Sequence, residues 1–284
     1  MPPPLAGSGR ATESGSASAR GLLDSHCHLD DARYTSLEAV ERRRISAGVR
    51  VLVPGTTLAG HDDPLRLAAA QHGWMYGVGL HPEHADPDVW MGPDSPRRLD
   101  ELLGAAADGA AAIGECGLHR PERLPMESQV ALLLAHLRVA RSRGLPVILH
   151  CVRAHDVLPT VLSGFSSAHP GAIAGVIHSY SGGASLIPTY ERLGLHLSFG
   201  GAITWAGARK PVDALRAVRA DRLLLESDGP DQRPDLERAC TAEMGALSEP
   251  AMLPFIAQKA ATLRGTALPE LLEQLDSNAR TLGW

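Results

Sequence analysis

Two histidines, His26 and His28, follow the short apolar run Leu22–Leu23. On an extended segment, side chains two apart leave the same face. Both imidazoles can therefore reach one cation, and neutral imidazole suits zinc, iron or manganese. The spacing supplies geometry and no further ligands. Those come after later apolar runs: His81 after Val78-Gly79-Leu80, Glu115 after Ile113-Gly114, His150 after Val147-Ile148-Leu149, His178 after Val176-Ile177, and Asp228 after Leu223-Leu224-Leu225-Glu226-Ser227. With His81 set apart, four histidines and two carboxylates exceed what one cation takes. The natural partition bridges two divalent cations (zinc, magnesium or manganese) with Glu115. His26, His28 and Asp228 then serve one cation, and His150 and His178 the other. Such a pair, about 3.5–4 Å apart, clamps the attacking and leaving oxygens of an in-line displacement and brings the pKa of water towards neutrality. Asp228, if loosely ligated, can orient that water or take its proton. His81 stands where an imidazole would meet a substrate oxygen or leaving group.

Such residues need a frame that brings distant segments to one mouth. Eight strand-like runs are present: Leu22–Leu23, Val49–Val53, Trp74–Val78, Ala111–Ile113, Val147–Leu149, Ile173–Ile177, Leu195–Phe199 and Leu223–Leu225. Helical patterns separate them at roughly 36–47, 64–72, 97–107, 126–143, 155–163, 183–193 and 210–219, with two more near 251–264 and 268–281. This alternation predicts parallel strands with crossover helices. The strands are apolar on both faces, as where helices cover a sheet. The expectation is a single (β/α)8 barrel over residues 21–284, with chemistry at the C-terminal strand ends. A doubly wound open sheet is the alternative, but no G-x-G-x-x-G follows the first run.

At 284 residues and 44% hydrophobic, the chain can bury a large core. A net charge of −5 gives no global basic field, so a phosphate-bearing partner has to be drawn by local groups or bound metal. Cys27, Cys116, Cys151 and Cys240 form no C-x-x-C pair. They are expected to be free thiols in a reducing, cytoplasmic setting. Three of them adjoin proposed ligands, and alternation along a strand turns them away from the cations. No apolar run approaches bilayer length. Residues 1–20, rich in Pro, Gly, Ser and Ala, are expected to be a disordered tail.

Several segments together resemble the TatD family of metal-dependent hydrolases. They are His26-Cys27-His28-Leu29-Asp30, Gly79-Leu80-His81-Pro82, Gly114-Glu115-Cys116-Gly117-Leu118, Leu145 to His150, His178-Ser179-Tyr180-Ser181-Gly182 and Leu224-Leu225-Glu226-Ser227-Asp228. The resemblance implies a metal-bearing (β/α)8 barrel and a deoxyribonuclease acting on DNA ends or another phosphodiester, as a monomer or weak oligomer. It places metal ligands at His26, His28, Glu115, His150, His178 and Asp228. Catalytic roles fall to Asp228, Glu115 and His81. Departures are His119 where the family usually has Asp, Asp228-Gly229-Pro230 for Asp-Ala-Pro, and Leu247-Ser248-Glu249-Pro250 for Arg-Asn-x-Pro near the expected substrate entrance. They leave the ligands in place and bear on substrate preference. His119 and Arg153 are candidate substrate contacts, with Arg209 and Lys210 as further cations for phosphate.

Two other functions compete. An amidohydrolase-type enzyme cleaving a small ester or amide often bridges its metals with a carboxylated lysine on strand four. Here Glu115 holds that place, and the only lysines, Lys210 and Lys259, are far along the chain. A non-catalytic, metal-containing binding module is the other. Against it, clustered histidines and carboxylates are costly to keep together without a cation.

Overall fold

The computed structural model describes residues 21–58, 64–121, 123–171, 173–235 and 244–284. The expected tail at 1–20, along with His61 and Cys240, lies outside them. Eight parallel strands pair in sequence order from β1 to β8. They are β1 (Leu23–Asp24), β2 (Arg50–Val53), β3 (Met75–Val78), β4 (Ala112–His119), β5 (Val147–Val152), β6 (Gly175–Ile177), β7 (Leu195–Phe199) and β8 (Leu223–Leu225). Backbone bonds from Ser25 N to Leu225 O (3.2 Å), Asp228 N to His26 O (3.0 Å) and His28 N to Gly229 O (2.7 Å) bring the last strand back to the first. The architecture is the expected (β/α)8 barrel.

Helices fill the crossovers: α1 (Leu37–Ser46), α2 (Pro64–His72), α3 (Pro87–Trp90), α4 (Ser95–Ala106), α5 (Met126–Arg143), α6 (Leu158–Ala168), α7 (Ile187–Arg192) and α8 (Arg209–Ala217). After β8 come α9 (Leu253–Arg264) and α10 (Leu268–Thr281). The short α3 was not visible as a period in the sequence. Asp86 caps it by accepting from Asp88 N, with Pro87 preset for the first helical position. Strands β4 and β5 outrun the apolar segments that announced them, because polar residues continue the ladder past the last apolar one.

The core has two parts. Leu23, Leu52, Ala112, Ile148, Val176 and Leu224 fill the barrel interior. Ala279, Leu282 and Trp284 close that cluster from the C-terminal segment, and the Trp284 indole donates to Ala111 O (3.0 Å). A larger outer cluster packs between sheet and helices, and it holds Cys27, Cys116 and Cys151. The three thiols are buried there as small apolar groups, turned away from the barrel mouth as alternation requires.

Candidate metal centre

The inner face sets the site by simple parity. Two residues beyond Ile148, Val176 and Leu224 of the inner cluster come His150, His178 and Glu226. Side chains two apart share a face, so an apolar layer is followed by a layer of ligating groups. Strand β4 needs a device to join them. Ile113 pairs with Val147, yet Cys116 pairs with Leu149, so one extra residue sits in β4 between those points. The shift resets parity. It turns Glu115 inward, where plain alternation from Ala112 would have turned it out.

Glu115 lies at the centre, 2% exposed. Its Oε2 is 3.3 Å from His26 Nε2 and 3.5 Å from His28 Nε2, and those nitrogens are 3.1 Å apart. Its Oε1 is 2.8 Å from both His150 Nδ1 and His178 Nε2, and those two nitrogens are also 3.1 Å apart. Asp228 Oδ1 stands 3.8 Å from His26 Nε2. A tetrahedral shell with metal–nitrogen distances of ~2.0–2.1 Å has edges of about 3.3 Å. The first triangle of donor atoms has the size of one such face, the second is somewhat tighter, and the two share the Glu115 carboxylate. The donor set fits a pair of borderline divalent cations.

Other ligand atoms overlap this arrangement. Within 4.8 Å of one another lie the ligand atoms of His81, His119 and His150, and likewise those of His26, His178 and Glu226. His81 Nε2 is 3.2 Å from Glu115 Oε1, while its Nδ1 accepts from Glu83 N at 3.1 Å. A neutral ring that accepts at Nδ1 carries its proton on Nε2. His81 thus points a donor into the site rather than a lone pair, which suits contact with a substrate oxygen better than ligation. His136, on α5, holds this segment from behind, accepting from Leu80 N at 3.0 Å.

Burial acts on every group here. It tends to raise the Glu115 carboxyl, but the imidazoles of His178, His81 and His26 outweigh it and hold that group well below the usual range. Burial drives His26 well below the ordinary imidazole value and lowers His150 to about 3. Both are neutral rings with a lone pair to offer. His178 is opposed by burial yet raised to about 10 by Glu115 and Asp228.

The turns after the strands are strained. Arg153, Ser179 and Asp228 adopt φ of 51°, 46° and 49° directly beyond β5, β6 and β8. Each such residue costs on the order of 1–3 kcal/mol, and that cost is typical of functional turns. Gln232 donates to Asp228 Oδ2 at 2.5 Å and also to Ser179 Oγ, which ties two of these turns together. Gln232 escaped the sequence reading, since nothing in the sequence distinguishes it from another loop amide. Glu226 escaped too, although its place two before Asp228 was a usable signal. It accepts from Ser179 N, and its Oε2 is buried with no hydrogen-bond partner among the described residues, as are His26 Nδ1 and His178 Nδ1, the last lying 4.0 Å from Asp228 Oδ1. Burial, with the nearby Asp228 carboxylate, pushes the Glu226 carboxyl above the usual carboxylate range. Asp24 is a third missed carboxyl. Its Oδ1 accepts from Ser227 N (2.9 Å) and His26 N (3.3 Å), pinning β8 to β1 beneath the ligands.

A cavity of about 480 Å³ opens over the cluster, lined by His28, His81, Glu115, His150, His178 and Asp228 among others. Asp30, Asp31, Asp231 and Glu83 stand at its rim. The one arginine there, Arg33, is clasped by Asp31 and Asp231, each at 2.8 Å. Neither expected substrate contact lines the cavity. His119 Nδ1 lies 3.0 Å from His150 Nε2, behind that ring. Arg153 is exposed, and its carbonyl accepts from Arg120. Ser248 and Glu249 are not at an entrance either, being 0% and 1% exposed. Ser248 Oγ donates to Ser227 O, and Glu249 forms a two-pronged ion pair with Arg43 of α1 at 2.6 Å. Here, then, Ser248 and Glu249 act as internal fastenings.

Against known proteins, the family described as TatD related DNase matches residues 23–282. A relative named 3′-5′ ssDNA/RNA exonuclease TatD, from Pantoea vagans, is 33% identical over 92% of this chain and 98% of its own length. The uncharacterized metal-dependent hydrolase YabD of Bacillus subtilis is 28% identical over the same shares of both chains. Among solved structures, the TatD homologue YjjV of Escherichia coli superposes with a TM-score of 0.76 at 29% identity, covering 92% of this chain and 97% of that one.

Proposed function

This chain belongs to the TatD-related DNase family of metal-dependent hydrolases, and from that premise we propose that it is a phosphodiesterase acting on DNA ends through a Glu115-bridged pair of divalent cations. One observation carries the proposal: the two oxygens of Glu115 face separate histidine pairs, His26 with His28 and His150 with His178. The nuclease name of the Pantoea relative supports a nucleic-acid substrate. The missing bridging lysine still disfavours an amidohydrolase of the carboxylated type.

When bound, such cations supply Lewis acidity towards phosphoryl oxygens and make water acidic enough to attack near neutral pH. The remaining steps fall to the chain. Asp228, held by Gln232 and by its left-handed turn, aims its carboxylate into the mouth, where it can accept a proton from the attacking water. His81, with Nε2–H directed at the site, can donate to a phosphoryl or leaving oxygen. His81 is set by the Glu83 backbone and Asp228 by the Gln232 amide and its own turn, so both are pre-positioned.

Metal analysis with a chelator control tests this reading. The purified protein should hold up to two divalent ions and hydrolyse a phosphodiester only while they are present. Glu115→Ala should deplete both positions together. Full occupancy in Glu115→Ala would exclude the bridge.

A further inference from the structure

Two more cavities open beside the mouth, on the side of β6 to β8. The first, about 470 Å³, is walled by Tyr180, Phe199, Ile203 and Trp205, with Ser181 and Lys210 as polar lining. Gln232 belongs to its wall and also bonds to Asp228. The cavity therefore adjoins the ligand cluster, with Ser179 next to His178 and Gln232 bonded to Asp228. The second, about 270 Å³, shares Ile203 and Trp205 with the first and is edged by Arg209, Arg216 and Lys259 against one carboxylate, Asp213.

Trp205 is the partition between them. It is 46% exposed, yet its indole N–H donates to Arg233 O at 2.8 Å. The ring is thus held in place while much of it is left to solvent. The chain's only lysines, Lys210 and Lys259, stand one in each cavity. In a protein of net charge −5, that placement gathers Lys210, Arg209, Arg216 and Lys259 around the two adjoining cavities. The opposite rim, with Asp30, Asp31, Glu83 and the already clasped Arg33, repels a polyanion.

We infer that these cavities form a track for single-stranded nucleic acid, in which a base stacks on Trp205 and the backbone phosphates run past Lys210 and Lys259. The track rests on the phosphodiesterase reading only for its direction, since it carries the strand away from the Glu115 centre. Aromatic faces interleaved with cations are how single strands are held without sequence preference. A duplex keeps its bases stacked inside and presents none to Trp205.

The test is fluorescence anisotropy on the full-length, metal-loaded protein. The probe is a hydrolysis-resistant phosphorothioate oligothymidylate of about twelve nucleotides, within the length one such surface covers. A duplex of the same length is the comparison. Trp205→Ala should weaken single-strand binding about tenfold with an unchanged salt dependence, and Trp205→Phe should restore most of it. The double substitution Lys210→Ala and Lys259→Ala should lower the slope of log K against log salt by about 1.4, two phosphate contacts' worth. All these positions are exposed except for part of the Trp205 ring, so folding is not at stake. The track is overturned if both variants bind the single strand within about twofold of the parent, or if the duplex binds as tightly as the single strand. Hydrolysis of bis(4-nitrophenyl) phosphate by the parent, with and without chelator, reports separately on the centre. If it is absent while Trp205-dependent binding persists, the phosphodiesterase reading falls and the track stands.

Discussion

At the scale of single residues, Asp228 and His119 have the most to tell. Asp228→Asn preserves size and one ligand oxygen but cannot accept a proton. Turnover of a phosphodiester should fall on the order of a hundred- to ten-thousand-fold while affinity changes much less. The acidic limb of the pH–rate profile should vanish with the carboxylate, and steady-state kinetics across pH would show it. His119, expected as a substrate contact, stands off the cavity and against His150. Its Nδ1 meets His150 Nε2, the nitrogen turned away from Glu115. Where the family usually has Asp, this imidazole can accept the same ring proton and so fix the His150 tautomer. Partners of that kind typically account for a 10–100-fold effect on metal affinity. His119→Ala should weaken metal binding by that order, and His119→Asp should retain it. Competition titration with a chromogenic chelator would read both.

At the scale of elements, the extra residue in β4 is what the centre depends on. Glycines make the close β4–β5 approach possible. A Cβ at Gly117 (φ 153°) would meet His150 O at 2.0 Å, a distance no packing adjustment absorbs. Gly117→Ala should push β4 away from the strand that carries His150, lowering stability by more than ~2 kcal/mol. Thermal melts of the chelator-treated and metal-loaded forms would show a loss in both, larger in the loaded one. The sequence reading put Glu115 just past a three-residue strand, whereas it lies inside an eight-residue one. Apolar character marks where a strand starts. It cannot mark the end of one whose inward positions are ligands.

For the molecule as a whole, buried neutral histidines couple stability to pH. His136 is 1% exposed and held between Leu80 N and Leu132 O. Burial lowers it to about 4. An unfolded chain binds the proton near 6.5, so between those values the unfolded state carries more protons than the folded one. The contribution is complete above about pH 6.5 and is lost as pH falls towards 4. It amounts to ~3 kcal/mol at most. His155 and His196 are lowered in the same direction, also chiefly by burial. Melting temperature should therefore drop from pH 7.5 to 5. In His136→Gln, which can still accept from Leu80 N, the drop should be shallower. Parallel pH profiles for the two proteins would remove His136 from the account.

The sequence by itself determined the barrel and pointed to most of the histidines and carboxylates that cluster at its mouth, though not to Asp24, Glu226 or Gln232. Those follow from local rules: apolar runs alternate with amphipathic ones, and a polar residue closing each run must face something. The outward turn of Cys27, Cys116 and Cys151 was legible for the same reason, since parity along a strand is a local property. Tertiary structure decided the rest. Which oxygen of Glu115 faces which histidine pair depends on a one-residue shift between two strands. His119 meets His150, Glu249 fastens to Arg43, and Gln232 ties the β8 turn to Ser179 of the β6 turn because segments after different strands converge. Trp205 comes to line the same two cavities as Lys210 and Lys259 only after β7, α8 and α9 have packed together. Each of these is a contact between residues distant in the chain, and the pattern within one segment says nothing about its neighbour in space.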